Sequence, residues 1–340
     1  MDDEIRDHGT TSGGRSATAR SVRNAALGLL MVAVGSGCAR PHPELVYLQA
    51  AVDSLYTYSL HRAELDRAGL MRQVRDQLTD TSTRAHSHVI LNALMNGIDR
   101  HSSLYTPDAV RRLQRTENDA ALAYPFSFRL LNDGIAWVRV DGFEKGDSLS
   151  CGLYADSLHR TVLHLGSLAP RGWLIDLRQN TGGNLYPMLA GLGPLLGCGD
   201  LGWDVSPDGK REAWWYCRDT SHPEGAGHIT LVPSPVVLQD TLPAVVLISG
   251  RTGSAGEALA MSFIGRPRTR IYGERSAGFA TNNRMCFLAD SALLNITSGV
   301  MMDRTGGTHV EGIEPDRYVG SEEEAFQAAL EGLKAASQAP

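Results

Sequence analysis

Three short segments carry the side chains and backbone that acyl transfer uses. The first is Arg251-Thr252-Gly253-Ser254-Ala255-Gly256-Glu257, which follows the apolar run Ala244-Val245-Val246-Leu247-Ile248. A hydroxyl at the point where a buried strand ends, turns on glycine and enters a helix stands at the sheet edge. The first N–H groups of that helix lack helical partners and suit a developing oxyanion. Ser254 is therefore a candidate nucleophile, although serine is also a favoured N-cap and the local sequence by itself favours that role. The second segment, Asp176-Leu177-Arg178-Gln179-Asn180-Thr181-Gly182-Gly183-Asn184, has paired glycines that permit positive φ and close backbone approach. A tight strand–helix turn would explain them equally. The third is Asp99-Arg100-His101-Ser102-Ser103. Its imidazole titrates near neutrality and can act as a base, but a lone loop histidine is commonly solvated surface.

These segments need elements to hold them. Leu45, Leu48, Val52 and Leu55 recur with helical spacing, and helices are expected around residues 64–78 and 86–96. Residues 44–117 thus read as an N-terminal helical unit. From residue 118 to the C-terminus, strands alternate with helices. Strands are expected at 135–140, 173–177, 244–248, 269–273 and 292–302, with helices at 148–165, 185–196 and 254–263. The continuous apolar run at 244–248 indicates a sheet covered on both faces. Residues 199–243, rich in Gly, Pro and Trp, read as an irregular excursion with hairpins, and Ser321-Glu322-Glu323-Glu324 is a capping box that opens a last helix. Such alternation defines an α/β fold with right-handed crossovers.

Composition narrows the function classes. The chain has 340 residues, 42% hydrophobic and 21% charged, with a formal net charge of -6. That mild acidity, with no Lys/Arg block, argues against nucleic acid as a partner. Arg15, Arg20 and Arg23 precede an apolar stretch at 25–34 and then Gly35-Ser36-Gly37-Cys38. This pattern is that of a signal peptide over residues 1–37, too short to span a bilayer as a mature helix. The small residues before Cys38 resemble a bacterial lipobox, with Gly35 where Leu usually stands, so Cys38 is the expected lipidation site and the only membrane attachment. The chain is accordingly expected in the bacterial cell envelope, on the periplasmic or outer-surface side. Export permits disulfides among Cys151, Cys198, Cys217 and Cys286, with Cys198–Cys217 favoured because the two bracket one excursion. No cysteine spacing matches a zinc pattern, and neither a metal nor another cofactor is expected.

Together the segments resemble the tail-specific proteases, or C-terminal processing peptidases, which are S41-type serine peptidases. In order along the chain stand Asp99-Arg100-His101-Ser102, the 176–183 segment, and Thr252-Gly253-Ser254-Ala255-Gly256-Glu257. Gly273-Glu274-Arg275-Ser276-Ala277-Gly278 and Gly312-Ile313-Glu314-Pro315-Asp316 complete the set. The resemblance spans residues 95–320. It implies a crotonase/ClpP-like core, here beneath an N-terminal helical cap, and a peptide or protein substrate.

Two departures shape what the resemblance implies. Family members with a Ser–Lys dyad carry the lysine directly after the glycine of the fourth motif. Here that position is Phe279, and the only lysines are Lys145, Lys210 and Lys334. The sequence is therefore closer to the branch of the tricorn core peptidase and the interphotoreceptor retinoid-binding repeats. By resemblance, His101 is the base for Ser254, Ala255 with Gly182 or Gly183 supplies the oxyanion hole, and Glu257 supports the site. Glu311, alternatively Glu314, would orient the imidazole directly or through Ser102. The second departure is that only about 25 residues, 108–132, occupy the place of the family's PDZ insertion, too few for a small domain. A non-catalytic peptide- or ligand-binding member of the same fold is the alternative, and an acyl-CoA-handling crotonase is a third.

Overall fold

The computed structural model describes residues 42–114, 124–217, 232, 236–238 and 242–338. The expected signal peptide and Cys38 lie outside them. Residues 41–340 make one compact unit.

Its centre is a six-stranded sheet. The strands are β2 (Phe126–Leu130), β3 (Ile135–Val140), β4 (Gly172–Asp176), β7 (Ala244–Ile248), β8 (Thr269–Gly273) and β11 (Arg317–Tyr318), in the order β11-β8-β7-β4-β3-β2. All neighbours are parallel except β2, which is antiparallel to β3. The apolar runs follow from double coverage. Trp173, Ile175, Val246 and Ile248 face the main core with α5 (Ser148–Ser167), α6 (Leu185–Leu196) and α7 (Ala255–Met261). Leu174, Val245 and Leu247 face the opposite side, covered by Ala325, Ala329 and Leu333 of α8 (Glu322–Gln338). Each buried Val, Leu or Ile contributes roughly 1.5–3 kcal/mol, so alternation of polar and apolar residues is excluded in β4 and β7. The N–H of Glu324 donates to Ser321 Oγ at 3.4 Å at the start of α8.

A second, antiparallel sheet joins β1 (Ser103–Tyr105), β10 (Leu293–Asp303), β5 (Gly199–Val205) and β6 (Arg211–Tyr216), with β9 (Thr281–Phe287) on the other edge of β10. Cys198 and Cys217 are disulfide-bonded with Cα atoms 5.1 Å apart and clip the base of the β5–β6 hairpin. Among the described residues, Cys151 and Cys286 stand outside that disulfide.

The helices α1 (Pro43–Tyr58), α2 (Arg67–Gln77) and α3 (Arg84–Ile98) are followed by β1 and α4 (Pro107–Gln114). Their apolar stripes do not close on themselves. Leu48, Val52, Leu91 and Met95 share a core with Leu288, Ala292, Leu294 and Ile296 of the β9–β10 hairpin. The helices are thus fastened to the sheet whose edge strand begins at Thr281.

Candidate active site

The turn between β7 and α7 is held by side chains of its own sequence. Ser249 Oγ donates to the carbonyl of Arg178 (2.7 Å), and Thr252 Oγ1 donates to that of Leu177 (2.8 Å). The N–H of Gly253 donates to the carbonyl of Asn180. The two loops at the carboxyl ends of β4 and β7 are therefore fastened together, and Ser254 emerges where they meet. It occupies the N-cap position, but with φ 53° and ψ -121° rather than the extended conformation usual for a cap. Left-handed backbone on a residue with a Cβ costs on the order of 1–3 kcal/mol.

Glu257 holds that conformation. Its carboxylate is fully buried and accepts from the N–H of Ser254 (3.0 Å), Ser276 Oγ (2.5 Å), the N–H of Gly278 (2.9 Å) and the N–H of Phe279 (2.7 Å). Burial raises its pKa while these four donors oppose the rise. Glu257 therefore joins the start of α7 to the segment that follows β8.

The α3–β1 loop brings His101 to the serine. Asp99 accepts from the N–H of His101 and of Ser102 through Oδ1 and from Ser102 Oγ through Oδ2. Thr297 of β10 also donates its hydroxyl to Asp99. The loop is thus tied to the antiparallel sheet. His101 Nε2 lies 3.1 Å from Ser254 Oγ, across 153 residues of sequence. On the other side of the ring, Nδ1 lies 2.7 Å from Thr281 Oγ1. Phe279, in the place of the dyad lysine, packs its ring centroid 5.1 Å from that of His101. Burial holds the imidazole below the ordinary histidine pKa, opposed by the charge of Asp99.

The glycine pair lies beside Ser254. Gly182 and Gly183 have φ 112° and 108°. A Cβ on Gly182 would come within 2.9 Å of Ser254 Cβ, and one on Gly183 within 2.2 Å of the Phe143 carbonyl oxygen, so neither position tolerates a side chain. The N–H of Gly182 already donates to Asn180 Oδ1 at 3.0 Å. Among the described residues no bond takes the N–H of Gly183 or of Ala255.

The orienting carboxylate expected from the sequence is not at the imidazole. Glu314 pairs with Arg275 at 2.9 Å and is exposed. Glu311 is also exposed, and its backbone carbonyl packs against Gly278. Ser102 does not bridge to the ring either, because its hydroxyl donates to Asp99 and accepts from the N–H of Thr297. Thr281 takes the place at Nδ1. It stands two residues past the missing lysine, and nothing in its spacing marks it, since threonine is ordinary in a strand.

With this geometry in hand, the relatives can be placed. The model of peptidase family S41 matches residues 134–319. A nisin-resistance protein of Lactococcus lactis subsp. lactis is 34% identical over 173 residues, which are 48% of this chain and 50% of that protein. The chain thus spans about half the length of the curated relative it matches. Among solved structures, a lipoprotein from Streptococcus agalactiae superposes with a TM-score of 0.72 at 22% identity, covering 91% of this chain and 100% of that one. The photosystem II D1 C-terminal processing protease superposes with a TM-score of 0.58 at 14% identity, over 87% and 98%. At these identities the two structures share the fold. No helix among the described residues is long and apolar enough to cross a membrane.

Proposed function

The chain belongs to peptidase family S41, and on that footing we propose that it is an exported serine endopeptidase with Ser254 as nucleophile and His101 as base. The observation that carries this reading is the 3.1 Å contact between His101 Nε2 and Ser254 Oγ.

Neutral His101 accepts the proton of Ser254 Oγ as the oxygen attacks a peptide carbonyl. The negative charge that develops on the carbonyl oxygen is met by the N–H groups of Ala255 and Gly183. The imidazolium then protonates the leaving amine, and an acyl-enzyme remains on Ser254. Water, deprotonated by the same ring, releases the acid. A depressed imidazole pKa keeps His101 in the form this cycle begins from. The left-handed backbone at Ser254 supports the reading, because strain of this kind persists where the surroundings enforce it and clusters at functional sites.

Ser254→Ala should abolish both hydrolysis and covalent capture by a fluorophosphonate while leaving the fold intact. His101→Ala should depress both severely. Capture that persists in Ser254→Ala would remove Ser254 from the role. A wild-type chain that is never captured at neutral pH would favour the peptide-binding reading, which the loss of the dyad lysine at Phe279 raises. The similarity to a nisin-resistance protein makes nisin one peptide to assay.

Export and lipid anchoring at Cys38 belong to the same proposal. They are supported by the lipobox-like sequence, by the Cys198–Cys217 disulfide, which suits an oxidising compartment, and by the fold shared with a lipoprotein. Labelled palmitate should enter the wild type and not Cys38→Ala; equal labelling of both would exclude that anchor.

A further inference from the structure

We propose that Thr281 is the positioning residue of the site, its hydroxyl accepting from Nδ1–H of His101 in the place where a carboxylate was expected. This rests on the reading of Ser254 and His101 as nucleophile and base.

Three observations carry it. Thr281 Oγ1 is 2.7 Å from Nδ1, on the side of the ring opposite Ser254. Thr281 is 7% exposed, so no bulk water substitutes for its hydroxyl. Its backbone is fixed as the first residue of β9, opposite Val300 of β10, with its N–H donating to the carbonyl of Phe279. No described carboxylate competes for Nδ1: Asp99 is engaged by backbone N–H and hydroxyl groups, Glu257 by its four donors, and Glu311 and Glu314 are exposed.

The chemistry assigns the direction of the bond. Nε2 can take the serine proton only if the neutral ring carries its hydrogen on Nδ1. Once protonated, the ring has two N–H groups, and the buried one needs an acceptor throughout the acylation step. An unsatisfied buried donor is costly: without an acceptor the neutral ring escapes that cost by moving its hydrogen to Nε2, whereas the imidazolium cannot, so the cost falls on the acylation step. A threonine oxygen meets the need without a charge. The imidazolium therefore has no ionised partner at Nδ1, unlike the ring of a triad whose third member is a carboxylate.

The test uses Thr281→Val, which keeps the shape and removes the hydroxyl, and Thr281→Ser, which keeps the hydroxyl. Thr281→Val should lower kcat roughly 10–100-fold with little change in KM, the range set by one unsatisfied donor in the transition state. Thr281→Ser should recover most of that loss. The second readout is the ring tautomer, read from imidazole nitrogen shifts in a histidine-labelled chain carrying Ser254→Ala, where turnover plays no part. The hydrogen should reside on Nδ1 in the chain with the native threonine and in Thr281→Ser, and redistribute toward Nε2 in Thr281→Val. An Nε2–H ring beside the native threonine, or an unchanged kcat and tautomer in Thr281→Val, would overturn the assignment. Because the tautomer is measured without catalysis, it decides the role of Thr281 even if Ser254→Ala shows the nucleophile to lie elsewhere. Should Thr281→Val fail to fold, the ring beside the native threonine still decides the matter.

Discussion

At the scale of single residues, the site is an imidazole between two hydroxyls, and its proton affinity is set by what surrounds it. Phe279 supplies an apolar wall at 5.1 Å where related enzymes carry a lysine, and burial outweighs the charge of Asp99 in depressing the pKa of His101. On the proposed mechanism the base must be neutral, so activity should be lost as pH falls through this pKa. The acid limb of kcat/KM should therefore lie below the ordinary histidine value of about 6.5. Phe279→Ala would admit water to the ring and stabilise the imidazolium, moving that limb upward; a pH–rate profile that does not move would show that the ring of Phe279 is not what desolvates His101. Ser254, His101, Glu257 and the glycine pair were legible in the sequence because they lie in segments whose order and spacing resemble a family. Thr281 was not, since its contact with His101 spans 180 residues and a threonine in a strand carries no local mark. Glu311 illustrates the converse: it sits close to a motif, yet its side chain points to solvent.

At the scale of elements, legibility followed burial. Strands β4 and β7 are apolar on both faces and were readable as buried strands, as were the helices that cross between them. The strand β9 was missed because its sequence, Thr281-Asn282-Asn283-Arg284-Met285-Cys286-Phe287, alternates nothing. Cys286 packs toward the helices, while Met285 and Phe287 on its other face are exposed. In the β5–β6 hairpin the placing of one charge has a measurable consequence. Asp204 lies opposite Glu212, with Oδ1 buried and lacking a hydrogen-bond partner. Burial, opposed by the neighbouring Trp214 indole N–H and aided by the Glu212 charge, raises its pKa to about 6. The folded chain thus binds this proton more tightly than the unfolded one. Its favourable contribution is complete near pH 4 and is lost as pH rises through about 6, a change on the order of 3 kcal/mol. Asp204→Asn should raise the Tm at pH 7 by several degrees and flatten the dependence of Tm on pH between about 4 and 7. An unchanged profile would mean that the carboxylate finds a partner.

At the scale of the whole molecule, the proposed catalytic groups come from three parts that share buried cores. Ser254 and the glycine pair belong to the parallel sheet, Thr281 to the antiparallel sheet, and His101 to the loop that leaves the helical unit. The sequence reads residues 44–117 as an N-terminal helical unit, because the helical spacing is local while the other half of the helices' core is distant in the chain. Their stripes instead close over Leu288, Ala292, Leu294 and Ile296. Around that apolar contact runs a polar clasp. Asp290, in the β9–β10 turn, accepts from Tyr47 OH at 3.0 Å and lies 2.8 Å from His88 Nε2, and Arg84 pairs with Glu44 beside them. Removing residues 42–98 would leave the fully buried side chains of Ala292, Leu294 and Ile296 facing water, at roughly 1.5–3 kcal/mol for each of the two larger ones, and would strip the frame from the His101 loop. The shortened chain is therefore expected to be aggregated or unfolded by size-exclusion chromatography and far-UV circular dichroism, not a soluble inactive core. A monodisperse truncated chain melting cooperatively near the parent's Tm would show instead that the sheets stand alone. The helices would then be a movable lid, and the alignment of His101 with Ser254 and Thr281 would become a matter of closure. With a shared core, all three groups are aligned by folding itself.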